Sequence, residues 1–211
     1  MNTDDLIRAL AEDGAKRPEP IARRLAWLSA LGLLAGAGLL AALLGPRPDL
    51  MEVLASPPVL FKFLVTLTLA GAAGALALRS VQPGVRPSVG AALAAPLILL
   101  TVGVGAELVI SPAASWPPLL VGQNAGVCLV LIPLFSLPPL LGALAGLRHG
   151  APLRPGLAGA AAGLFAGGLG AALWAVHCTD DSPLFVAAWY APAVAIVTLV
   201  GATLGARMLR W

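Results

Sequence analysis

The sequence predicts an all-α, polytopic membrane protein with six transmembrane helices and both termini in the cytoplasm. Three observations carry this. The composition is extremely apolar, the apolar residues fall into six runs of bilayer length, and basic residues gather in alternate loops. Of 211 residues, 59% are hydrophobic and only 11% charged, with a mean hydropathy of +0.91. A soluble domain carries about 25% charged residues.

The runs lie at about 25–44, 59–78, 89–110, 120–147, 157–176 and 184–204. A hydrocarbon layer of about 30 Å takes about 20 residues per helix. Ser56-Pro57 opens the second run and Ser182-Pro183 the sixth, because serine accepts a bond from an orphan N–H and proline at the first helical position loses none. In the fourth, Cys128–Leu147 is the span and the apolar approach begins at Leu119. Pro96, Pro133, Pro138, Pro139 and Pro192 lie inside runs. Membrane helices tolerate proline where neighbours satisfy the freed carbonyls, and kinks are expected, most strongly in run four. The first run is not closed by a small-residue cleavage site and a soluble domain, so it reads as a span rather than a signal peptide.

Charge sets the orientation. Eleven of the 13 basic residues lie before run one, between runs two and three, between four and five, or after run six. Only Arg47 and Lys62 fall on the other side. The positive-inside rule places the eleven, and both termini, in the cytoplasm. Loops 45–58, 111–118 and 177–183 then face outward.

The chain divides into a cytoplasmic tail, residues 1–24, and a membrane domain, 25–211. Asn2 or Thr3 can cap a short helix in the tail, Asp4 and Asp5 fill its first turn, and Gly14 can end it. Leu6, Ile7 and Leu10 share one face. Such a helix is too short to stand alone in water. It is either a frayed terminus or a segment that folds on a partner. Small residues recur every fourth position: Gly159/Gly163/Gly167 in run five, then Gly32/Gly36, Gly142/Gly146 and Gly201/Gly205. That spacing allows close helix packing, although a chain with 24 glycines also produces it by composition.

Chemistry is confined to the outward rim. No Asp, Glu, Lys, Arg or His occupies the centre of a run, which disfavours a coupled transporter. There is no phosphate loop, Ser-His-Asp set or HExxH motif, so neither an enzyme nor a cofactor is expected. Two cysteines exclude a disulfide-dense scaffold and a four-thiolate metal site. Cys128 opens run four and Cys178 lies in the last outward loop, so the span count brings both to one membrane face. They can pair, react with oxidants, or bind a soft metal with His177, Asp180, Asp181 or Glu107 nearby. They can also be a buried small residue and an idle loop thiol. No C-x-x-C occurs, which counts against a disulfide oxidase.

Several blocks carry a family likeness. These are the start Met1-Asn2-Thr3-Asp4-Asp5-Leu6-Ile7-Arg8-Ala9-Leu10, the Arg23-Arg24-Leu25 approach to the first span, and Cys128 followed by Ile132-Pro133-Leu134 and Leu137-Pro138-Pro139. Further on come Arg148-His149-Gly150-Ala151-Pro152 and Cys178-Thr179-Asp180-Asp181-Ser182-Pro183-Leu184-Phe185-Val186 with Trp189-Tyr190. The chain resembles the NrsF-like family of integral-membrane anti-sigma factors over essentially its whole length. The resemblance implies a bacterial inner-membrane protein that holds an extracytoplasmic-function sigma factor at the bilayer and makes no direct contact with nucleic acid. It implies that Cys128 and Cys178 sense metal or oxidative stress, and that the sigma contact includes Asp4, Asp5, Leu6, Ile7 and Leu10. The alternative is a small transporter or channel for a metal ion or hydrophobic solute, with the cysteines at its mouth.

Overall fold

A computed structural model describes residues 2–5, 7–8, 20–82, 84–85 and 87–210. Among these there is no strand. Six helices are long and apolar enough to cross a membrane. They are α1 (Ile21–Leu43), α3 (Pro57–Ser80), α4 (Val89–Ile110), α6 (Ala125–Leu147), α7 (Pro155–Ala175) and α8 (Pro183–Met208). Two short helices, α2 (Leu50–Val53) and α5 (Trp116–Val121), lie between them. The fourth span therefore begins at Ala125, several residues later than the apolar run, because the chain turns at Gly122, where φ is +57°.

Local chemistry explains the starts. Ser182 Oγ accepts from the backbone N–H of Leu184 and Phe185 at 3.2 and 3.4 Å, and Pro183 follows at the first helical position. Ser88 Oγ accepts from Ala91 N at 3.3 Å and starts α4. Helices α4 and α6 run unbroken through Pro96, Pro133, Pro138 and Pro139. The exception is Pro192, which follows a π-helical turn over Val186–Tyr190. Proline lacks an N–H and its ring crowds the carbonyl four residues back, so a widened turn is a natural accommodation.

Helix α7 is the hub. It packs against α8, α3 and α6, while α1 packs chiefly on α6 and α4 on α3. Glycine makes these approaches possible. A Cβ on Gly159 would lie 2.2 Å from the Gly201 carbonyl oxygen, and one on Gly163 would lie 2.6 Å from that of Val197. The spacing that composition alone also produces is thus a real α7–α8 contact. Likewise a Cβ on Gly32 would strike Pro138 at 2.4 Å, and one on Gly142 the Leu28 carbonyl at 2.2 Å, which seats α1 on α6.

Near the N-terminus, residues 3–5 and 7–8 are helical and exposed. The Asn2 side chain bonds the backbone of the next residue, its Oδ1 accepting from Thr3 N at 2.9 Å. Asp4, Asp5 and Ile7 point outward; Leu6, Leu10 and Gly14 lie outside the described residues.

Candidate functional site

The loops between α1 and α3, between α4 and α6, and between α7 and α8 meet at one end of the bundle. Here the loop after α7, residues 176–182, is held by contacts from four other segments. It is the polar interval that the sequence isolates.

Cys128 lies one turn into α6 and Cys178 in this loop. Both are free and buried. The structure brings them together: both thiols lie in one buried cluster with Trp174, Phe185 and Tyr190. Trp174 Nε1, on the last turn of α7, donates to Cys128 Sγ at 3.1 Å. The Cys178 thiol is held below the usual thiol range. The neighbouring Cys128 thiol is the first cause; burial opposes it, and the Lys62 charge assists. The Tyr190 hydroxyl is buried in the same cluster without a hydrogen-bond partner among the described residues.

Around the thiols lies a network of charge. Lys62, on α3, is fully buried. Its ammonium donates to the Cys178 carbonyl at 2.9 Å, to the Asp180 carbonyl at 3.1 Å, and to the Asp181 carboxylate. All three of its protons are thereby used. Arg47 Nη1 donates to the other Asp181 oxygen at 2.8 Å and to the Cys178 carbonyl at 3.3 Å. Arg47 Nε and Nη2 fork onto Asp49 at 2.7 and 2.9 Å. The fork with Asp49, with Asp181 behind it, strengthens the guanidinium's hold on its proton, and Arg47 in turn holds Asp49 below the usual carboxylate range. Two cations thus face two carboxylates, which offsets the cost of removing them from water.

Asp180 does a different task. Its carboxylate accepts from the backbone N–H of Gln123 and Asn124 and from Asn124 Nδ2, the last two at 2.9 and 2.8 Å. It therefore closes the N-terminus of α6, where a negative charge meets the positive end of the helix dipole. A side chain at Gly122 would collide with Phe185 at 2.6 Å and with the Asp180 carboxyl carbon at 2.7 Å. Glu107 Oε2 does the same for α8, accepting from Ser182 Oγ at 2.7 Å and Leu184 N at 2.8 Å. His177 Nδ1 pairs with the Gly45 carbonyl at 2.8 Å, and its ring lies 5.2 Å from that of Trp174.

Of the expected set, the fold joins only Cys128 to Cys178. His177, Asp180, Asp181 and Glu107 are each engaged elsewhere. Among the described residues no group of three or more His, Cys, Asp or Glu is arranged to hold a metal ion. The site can supply a thiolate and a second thiol beside it, which is the chemistry of disulfide formation or of two-sulfur capture of a soft ion. Sequence reasoning missed Lys62 and Arg47 as the cations that hold the Cys178 loop in place without touching either thiol. The signal was present: they are the only two basic residues on this side, and Asp180 and Asp181 are the acidic pair there.

Comparison with known proteins places the chain. A profile of the family described as "NrsF: Negative regulator of sigma F" matches residues 10–211. The "Anti-sigma-F factor NrsF" of Caulobacter vibrioides (strain NA1000 / CB15N) is 37% identical over 215 residues, covering all of both chains. The "Probable anti-sigma-F factor NrsF" of Azospira oryzae (strain ATCC BAA-33 / DSM 13638 / PS) is 33% identical over 214 residues, again covering all of both. No solved structure matches the chain significantly.

Proposed function

Because this chain belongs to the NrsF family of negative regulators of sigma F, we propose that it is a membrane-bound anti-sigma factor that releases its partner when Cys128 and Cys178 are modified. The partner is a sigma factor of the extracytoplasmic-function type. The membrane is the bacterial inner membrane, with the thiol end outward and both termini in the cytoplasm. The tail holds the sigma factor through Asp4, Asp5, Leu6, Ile7 and Leu10. Its exposed Ile7 and adjacent carboxylates suit a helix that docks on a partner groove.

One observation carries the sensing half: two free, buried thiols in one cluster at the end of the bundle that the charge bias turns outward. A two-electron oxidant removes one electron pair from the two thiols. The sulfur–sulfur bond forms and two protons leave. A soft metal ion instead displaces the same two protons and binds both sulfurs. Either event replaces a loose contact by a bond and alters the position of the Cys178 loop. Transport has no comparable support. In the described helices Asp, Glu, Lys, Arg and His occur only within two turns of an end, and Lys62 is neutralised by Asp181.

The test is co-purification from detergent of the cognate sigma factor with the full-length chain, with a chain lacking residues 1–20, and with the Cys128→Ser/Cys178→Ser double variant. Full length and the double variant are expected to capture the sigma factor, and the truncated chain to lose it. Diamide should release it from full length only. Capture by the truncated chain would move the contact to the cytoplasmic loops. Release of the sigma factor from the double variant by diamide would remove the thiols from the mechanism.

A further inference from the structure

The thiols lie at the end of the bundle where α1 stops, whereas the segment with the proposed sigma contact precedes the start of α1, and this proposal rests on the sensing reading above. We infer that Arg47 is the tie that couples them: it fastens the Cys178 loop to the end of α1, and α1 carries displacement of that loop to the N-terminal segment from which it starts.

The fastening is specific. Arg47 follows α1 after only a short turn. Its backbone N–H donates to the Val176 carbonyl at 3.1 Å. Its guanidinium reaches the Cys178 carbonyl and the Asp181 carboxylate from one side and grips Asp49 of its own loop from the other. The guanidinium is a planar, rigid fork, so motion on one side is passed to the other. One residue before Cys178, His177 bonds the carbonyl of Gly45. Both sides of Cys178 are therefore pinned to the segment that ends α1.

Helix α1 is suited to move. Only 22% of the residues in its most apolar 18-residue stretch are buried, against 44% for α6, the helix that carries Cys128. It rests chiefly on one neighbour. That contact is backbone on glycine: Gly142 and Gly146 of α6 meet Leu28 and Leu25 of α1. Such a surface has few interlocking side chains to resist sliding. It also means that the resting seat of α1 is set by glycine packing, independently of Arg47. At its other end α1 continues through Pro20 into the N-terminal segment.

The experiment uses the full-length chain with its sigma factor in nanodiscs, treated with diamide. Disulfide content is read by mass spectrometry and sigma release by sedimentation, for the parent chain, Arg47→Gln and Arg47→Lys. In Arg47→Gln the thiols should still join and the sigma factor should still bind at rest. Release at equal disulfide content should fall about tenfold, a coupling of ordinary size. Arg47→Lys keeps one charge against Asp181 but loses the fork, and should fall between the two. If Arg47→Gln releases the sigma factor as the parent does, the tie is not the coupling element, while the sensing reading stands. Release from Arg47→Gln without oxidant would make the tie part of the resting grip and overturn the proposal. If the parent itself forms the disulfide and keeps its sigma factor, the sensing reading fails and the coupling inference fails with it. Should Arg47→Gln not insert, parent-like release by Arg47→Lys would overturn the proposal and reduced release would support it.

Discussion

Helices α4 and α7 are of nearly equal length and both lack charge at their centres, yet they lie in opposite environments. In the most apolar 18-residue stretch of α7, 56% of the residues are buried; in that of α4, 6% are. The more hydropathic helix is the outer one. In water this would be inverted. In a bilayer lipid is as apolar as leucine, so hydrophobicity does not choose the inside; close packing does. Helix α7 offers Gly and Ala to three neighbours. Helix α4 leaves Leu97, Ile98, Val102, Val109 and Ile110 exposed. Their loop ends differ in the same sense. The chain leaving α7 enters the charge network around Asp181, whereas α4 ends on one carboxylate, Glu107, at the start of α8.

The largest effect is expected beyond α7. Asp181→Ala removes the carboxylate shared by Lys62 and Arg47 and leaves a fully buried ammonium with two carbonyls only. Breaking a buried pair from one side costs about 3–5 kcal/mol. Thermal unfolding in detergent should show a large fall in midpoint. The double variant Lys62→Met/Asp181→Asn should recover most of the loss, since no uncompensated charge remains. If the double variant is as unstable as the single, Asp181 acts by some means other than neutralising Lys62.

Gly163→Leu comes next. Its side chain would have to pass the α8 backbone at Val197 and Thr198, which lie 2.6 and 2.7 Å from the Cβ position. Backbone cannot rotate away as a side chain can, so α7 and α8 must separate. Overpacking costs about 1–3 kcal/mol, and more where backbone is forced apart. The expected result is a lowered unfolding midpoint, with weaker sigma retention as α8 shifts. An unchanged midpoint would show that α7–α8 contact is not needed for stability.

The spans, the helix-packing glycines and the placement of Cys128 and Cys178 at one end of the bundle were legible in the sequence. The first needs only run length. The last needs only a span count, since alternate crossings return both residues to one face. The ion network was legible in its members but not in its pairing. Whether Lys62 points to lipid or to Asp181 depends on the rotation of α3, which tertiary packing sets. The start of the fourth span was hidden for the same reason. Leu119, Leu120 and Val121 are apolar enough to continue inward. What stops them is the left-handed turn at Gly122 and the capping of Gln123 and Asn124 by Asp180, 56 residues from Asn124. A long-range cap has no signature in a local window. The partners of the other rim residues were hidden on the same ground: nearness in sequence puts His177, Asp180 and Asp181 beside Cys178, but each turns to a different element.

At the loop end of α4 the effect should be smaller. Glu107→Gln keeps an oxygen for Ser182 Oγ and Leu184 N but removes the charge from the positive end of α8. A charge at a helix end is worth about 0.3–1 kcal/mol, more if partly buried. The midpoint should fall slightly, and thiol reactivity should stay at the parent level, since Glu107 bonds to neither the cysteines nor Lys62. A loss as large as that of Asp181→Ala would make the two loop ends equivalent and break the comparison.

The smallest effect is the sharpest test of the size argument. Gly105 in α4 has nothing within 4 Å of its Cβ position, so Gly105→Leu only exchanges a void at the lipid surface for a leucine. The helix gains propensity, because glycine is about 0.8–1.0 kcal/mol poorer than alanine in a helix measured in water. No neighbour is displaced. The same substitution that forces backbones apart in α7 should therefore leave the midpoint unchanged or slightly raised in α4. The pair Gly163→Leu and Gly105→Leu changes composition identically, and by the same hydropathy. If composition decided the fold they would behave alike. A fall in Gly105→Leu equal to that in Gly163→Leu would mean that the outer face of α4 is covered by protein, such as a second copy of the chain, rather than by lipid.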